Sequence, residues 1–166
     1  MVWLCLAAIA SAEVVDGILH VVGERIVTRS DVAFEADFDH RDASPLAPLE
    51  DEGYPLEQRL VDFAILRELA GDIEIYKPQP AEVRARGERF RAGWPHPEDH
   101  VAFLARWGLD DQRLLGFLYS RLVVERYVAR NAGQAAAVLD RDELTAGVYQ
   151  AWMADLRARA TVRSTR

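Results

Sequence analysis

The stretch "GILHVVGERIVTRSDVAFEADF", residues 17 to 38, sets two short aliphatic runs directly before a helical pattern. Residues 17 to 22 and 25 to 28 are rich in Val, Ile and Leu, and Gly23-Glu24 separates them. Gly at the first central position suits a type II′ turn, whose twist matches that of a hairpin. Ser30 then precedes "DVAFEADF". Its hydroxyl as N-cap and Asp31 in the first turn both answer the unpaired N–H groups of a helix start. The stretch therefore reads strand, turn, strand, helix. A hairpin of two strands alone is marginal in water, so this reading demands a third strand.

Outward from that stretch, the chain reads as helix after helix. Residues 40 to 55, "HRDASPLAPLEDEGYP", hold Pro45, Pro48, Pro55 and the acidic run Glu50, Asp51, Glu52, and are a loop. Leu56 to Ala70 carries two apolar rows, Leu56/Leu60/Phe63 and Val61/Ile65/Leu69, so this helix belongs between two neighbours. After Gly71, "IEIYKPQP" is an extended connector, and Pro80 opens "PAEVRARGERFRAGW", a charged helix expected to be exposed. "HPEDHVAFLARWG" is a further short helix ended by Gly108. From Leu109 to Ala132 the main core helix presents Leu114, Leu115, Leu118, Leu122 and Ala129 on one face, with Gln112, Arg113, Gly116, Ser120 and Arg130 opposite. Phe117, Val124 and Val128 widen the apolar arc, and a second element or a ligand is needed to cover them. "NAGQAAAVL", 131 to 139, is a linker. Asp140 and Glu143 are spaced as a capping box for a last helix carrying Leu144, Val148, Trp152 and Leu156. The closing "RATVRSTR" alternates in polarity and is rich in β-branched residues, as a strand is.

Half of the 166 residues are hydrophobic, which suits one ordinary core. The net charge of −7 opposes a broad phosphate-binding surface, so nucleic acid is not an expected partner. Residues 1 to 12, "MVWLCLAAIASA", carry no charge and end in Ala10-Ser11-Ala12, the small residues a signal peptidase accepts. The expectation is a signal peptide over 1–12 and a single exported domain over 13–166. The apolar run is short and no Lys or Arg precedes it; a start codon upstream and a frayed N-terminus are the alternatives. It is too short for a transmembrane helix, and an integral membrane protein is not expected. Cys5, the only cysteine, lies in this segment. The mature chain then has no thiolate for a disulfide, a nucleophile or a metal.

Chemical motifs are few. His96 and His100 in "HPEDH" are spaced four apart, but Pro97 stands where a zincin has its Glu, and Pro-Glu-Asp is what a helix start favours. No metal site is expected there or in the acidic run, which lacks the alternating ligands of an EF-hand loop. His20, between strand residues, reads as packed or edge-exposed. No nucleophile elbow, P-loop or dinucleotide motif occurs, so no catalytic residue and no cofactor is expected. Phe90, Trp94, Phe103 and Trp107, flanked by Arg86, Arg89, Arg91 and Arg106, are the candidate binding residues. Core packing accounts for such aromatics by default. A semi-exposed aromatic surface beside cations is also what a binder of unfolded, aromatic-rich chains requires.

The hairpin "VVGERIVTRSDV", the helical body and the ending "AWMADLRARATVRS" together resemble the SurA N-terminal family of periplasmic chaperones. The resemblance implies a mainly α fold with a small antiparallel β-sheet, assembled from both ends of the chain, in which a strand over Ala160 to Thr165 returns to the N-terminal hairpin. Family members usually insert one or two parvulin-type isomerase domains before the closing helix, where this chain has only "VLDRDE". Isomerase activity is therefore not implied. The function implied is that of a periplasmic, ATP-independent holdase for unfolded envelope or outer-membrane polypeptides. The rival expectation is a non-enzymatic subunit that docks one folded partner, such as a separately encoded isomerase, through the same surface.

Overall fold

The computed structural model describes residues 16–42, 44–46, 49, 54–138 and 145–165. The expected signal peptide with Cys5, the acidic run Glu50 to Glu52, the Asp140/Glu143 pair and Leu144 lie outside them. Strand β1 (Ile18–Val22) pairs antiparallel with β2 (Arg25–Thr28), matching Val21 to Ile26 and Val22 to Arg25. Gly23 turns between them at φ +54, a left-handed value that glycine adopts without strain. A Cβ there would lie 2.2 Å from the Glu68 carboxylate. On the other side of β1 runs β3 (Val162–Ser164), also antiparallel, matching Val22 to Val162 and His20 to Ser164. The order β2-β1-β3 makes the first strand of the hairpin the centre of the sheet. The third strand that the hairpin demanded is the end of the chain.

Helix α1 (Arg29–Asp39) follows β2 without a break. Its N-cap is Thr28, not Ser30. Thr28 is the last extended residue; its hydroxyl accepts from the Asp31 N–H, and the Asp31 carboxylate accepts from the Thr28 N–H at 2.8 Å. Ser30 instead donates to Asp16. Helix α2 (Leu56–Ala70) contacts α1, the hairpin and two later helices, and buries Val61, Ala64, Ile65, Leu66 and Ala70. Leu69 is exposed although Ala70 in the same last turn is fully buried, so this turn is covered on the Ala70 side only. A 3₁₀ turn over Glu74–Tyr76 interrupts the expected extended connector and buries Tyr76.

Helix α3 (Pro80–Ala92) is not the exposed helix its charge suggested. It buries Val83, Arg86, Gly87 and Phe90 against α5 (Asp111–Val138), and Gly87 lets that helix come close. A Cβ on Gly87 would stand 2.7 Å from Leu115 Cδ2. Helix α4 (Pro97–Arg106) buries His100 and Phe103. Helix α5 runs 28 residues, so 131 to 138 continue it instead of forming a linker. The alanines there are the strongest helix formers, no Pro intervenes, and Gly133 stays within the helix at a cost of only about 1 kcal/mol relative to Ala. Its buried stripe keeps one face, Leu114, Leu118, Arg121, Glu125, Val128 and Ala132 at alternating four- and three-residue spacing, with Val123 and Val124 also buried in the second half, and Ala129 is exposed. Helix α6 (Ala146–Arg159) starts from Thr145, whose hydroxyl accepts from the Val148 N–H, and it buries Val148, Tyr149, Met153 and Leu156.

Two main apolar cores result, with a third, smaller cluster of Ala70, Tyr76 and Val123. One joins Val22 and Val27 of the sheet to α2, the second half of α5, and α6. The other is aromatic: Phe38, Phe90 and Phe103 close around Leu114 and Leu118. Helix α5 serves both, and Val124 and Val128 are covered by protein. Among the described residues no helix is long and apolar enough to cross a membrane.

Candidate functional site

The four candidate aromatics do come together, in the second core, but they differ in what they offer to solvent. Phe90 is 2% exposed and stacks on Phe38 at 4.9 Å, with the ring planes 17° apart. Phe103 is 6% exposed and contacts Phe34, Phe38, Phe90 and Trp94. Both are core side chains first. Trp94 stands in the α3–α4 connection, one residue past the Gly93 cap of α3, and is half-buried. It leans on Phe103 at 5.2 Å and on Phe90 at 6.2 Å, and the Arg41 guanidinium lies 4.5 Å from the centre of its ring. Such a layer of cation on indole adds about 0.5–1 kcal/mol at an open site.

Trp94 forms a wall of an open groove of about 500 Å³ between the end of α1 and the outer side of α4. Phe103 and Ala102 also line it, with Arg41 and His40 from the α1 end and Asp37, Asp99 and Arg106 at its rims. Trp107 is not among the lining residues. Its indole N–H donates to the Asp37 carboxylate at 3.2 Å, and the same carboxylate pairs with Arg106 at 3.0 Å. Asp37 thus anchors the Trp107 end of the aromatic cluster.

Of the four arginines expected around the cluster, Arg106 stays beside it, 5.2 Å from the centre of the Trp107 ring, while Arg86 and Arg91 are committed elsewhere. Arg86 is buried and divided between Asp42, at 2.8 Å, and Glu125, at 2.6 Å. Arg91 pairs with Asp111 at 3.1 Å. The cation that meets the groove tryptophan is Arg41, which sequence reasoning passed over. It lies just beyond the end of α1, where no helical spacing points to it. Phe34 and Phe38 were also missed as members, although their four-residue spacing on one helix was a usable signal.

The histidines have structural settings. His100 is buried edge-on against Phe90 and Trp94, each 6.1 Å away. Burial pushes its pKa below the usual histidine value, and the nearby Arg91 charge adds to this. His96 occupies the N-cap position of α4 without a side-chain cap bond. His20 spans three elements: its Nδ1 lies 3.0 Å from Ser164 Oγ in β3, and its Nε2 2.5 Å from Glu57 at the start of α2. Among the described residues no group of three His, Cys, Asp or Glu side chains is placed to hold a metal ion.

No protein-family model, curated protein or solved structure matches this chain.

Proposed function

We propose that the domain is a non-enzymatic, ATP-independent chaperone that holds unfolded polypeptides, with the Trp94 groove as its client-binding surface. The observation that carries this reading is Trp94 itself: a large ring, half-buried, on the wall of an open groove, layered by a guanidinium and backed by an aromatic core. Aromatic side chains of an extended client meet there an aromatic wall and a cation, both of which attract π faces. Phe90 and Phe103 hold that wall rigid from behind. An unfolded client loses conformational freedom on binding, so affinity is modest and exchange is fast, as a holdase requires. No nucleotide or cofactor is needed for this work.

The resemblance to the SurA N-terminal family and the uncharged run ending in Ala10-Ser11-Ala12 support action in the periplasm on outer-membrane or other envelope polypeptides. The test is aggregation of an unfolded outer-membrane protein, followed by light scattering with the purified domain and no ATP. The wild-type domain suppresses it. Replacing Trp94 by Ala weakens holding by about 1–2 kcal/mol, near tenfold in affinity, as loss of an interface aromatic does. Replacing Phe90 by Ala instead costs about 3–5 kcal/mol of fold stability, as for a core ring. A stable wild-type domain that holds no unfolded chain would refute the reading and favour docking of one folded partner.

A further inference from the structure

The groove beside Trp94 carries a cation whose charge is left unmatched among the described residues. Arg41 is exposed, lines the groove, and rests its guanidinium on the Trp94 ring. A ring face attracts the charge but offers no lone pair, so this contact uses none of the five N–H donors. Among the described residues no carboxylate, carbonyl or hydroxyl takes them up either. The neighbouring charges are spoken for. Arg106, on the same groove, pairs with Asp37, and Asp42, next to Arg41 in the chain, is buried and held by Arg86. His40 is positive or neutral, never negative. Asp99, in the first turn of α4, lines the groove from that side and forms no ion pair with Arg41.

On the reading of this groove as the client-binding surface, on which the inference rests, we infer that it selects client segments with an acidic side chain two residues from an aromatic one. The client ring goes against the wall of Trp94 and Phe103, and the carboxylate goes onto the Arg41 guanidinium. Charge decides the acid: two carboxylate oxygens match the guanidinium fork, whereas a client Lys or Arg meets an uncompensated like charge. Strand geometry decides the spacing. In an extended chain, residues two apart project from the same side, roughly 6.5 Å from each other, which places one on the wall and the other on the cation beside it. Asp99 repels a second acid from the α4 side, so the segment lies with its carboxylate toward the end of α1.

The test uses the purified chain and three blocked Gly-Ser peptides, each with one Phe and, two residues on, Asp, Asn or Lys. Binding is followed by NMR titration on the indole N–H signal of Trp94, assigned with Trp94→Phe. The Asp peptide is expected to bind about three- to fivefold more tightly than the Asn peptide, the range of an exposed ion pair, and the Lys peptide more weakly than either. Arg41→Gln abolishes this order, and Arg41→Lys, which keeps the charge, retains Asp above Lys. Equal affinities for the three peptides, or an order that survives in Arg41→Gln, would overturn the acid selection and leave the groove a client surface. A Trp94 signal that moves with none of the peptides would remove the groove reading itself, and this inference with it.

Discussion

His100 shows how a single side chain couples this fold to pH. In the folded protein it is buried beside Phe90 and Trp94, and burial first, then Arg91, holds its pKa below the ordinary value. The unfolded chain accepts a proton there near pH 6.5, whereas the folded chain resists it to lower pH. The stability that His100 contributes is therefore complete above about pH 6.5 and is lost as pH falls through its folded pKa. Urea unfolding at pH 7.5 and pH 5 measures this: His100→Phe, which keeps a ring and cannot titrate, is expected to lose less stability on acidification than the wild type. Equal losses would return His100 to a purely steric role. Nothing in the spacing of "HPEDH" separated His96 from His100, because burial is a property of what packs over a residue and not of its neighbours in the chain.

At the scale of elements, the sheet ties the two ends of the chain together. Gly23 N–H donates to Thr161 O at 3.2 Å and Thr165 N–H to Leu19 O at 3.0 Å, extending the β1–β3 ladder at both ends. Deleting Ala160 to Arg166 leaves a two-stranded hairpin, which is marginal by itself. Hydrogen exchange of Ile18 to Gly23 is expected to accelerate in the truncated protein, although the deletion lies far away in sequence. Unchanged protection would mean that α2 alone holds the hairpin. The hairpin, the helix order and the closing strand were legible from period-two and helical spacing. Helix ends were less so: Ser30 and Thr28 are both good caps, and the choice fell to the residue whose backbone the preceding strand already held extended. Charge misled at α3, where counting arginines could not show that Arg86 points inward to two carboxylates.

For the whole molecule, α5 is the shared wall of two cores, and the buried ions at its middle join them to the loop after α1. Arg86 is 5% exposed, Asp42 6% and Glu125 8%. Burial opposes the charge on Arg86, but its bonds to Asp42 and Glu125 outweigh this and keep the guanidinium ionised throughout the accessible pH range. Arg86→Leu removes one cation and strands two buried carboxylates. The expected loss is about 3–5 kcal/mol in urea unfolding, well beyond that of an exposed arginine such as Arg89. A loss below about 1 kcal/mol would mean that water reaches the two carboxylates. Across the interface of α2 and α6, Asp62 plays a like part, receiving Arg157 at 2.8 Å and Gln58 at 3.1 Å.

By itself the sequence determined the kinds of element and their order, because hairpin twist, helical spacing and caps act over a few residues and need no partner to be read. It also grouped Phe90, Trp94, Phe103 and Trp107 as one aromatic cluster, since they lie within eighteen residues of one another. Tertiary structure alone decided which of them meets solvent. Packing against Phe34, Phe38 and α5 buried Phe90 and Phe103, left Trp94 on the groove, and brought Arg41 across from α1 to cover its face. The same holds for the ions inside: Glu35, Asp42, Asp62 and Glu125 look like ordinary surface acids along the chain. Each becomes an interior group only because an arginine from a distant segment arrives to neutralise it, and burial of charge is tolerable on no other terms.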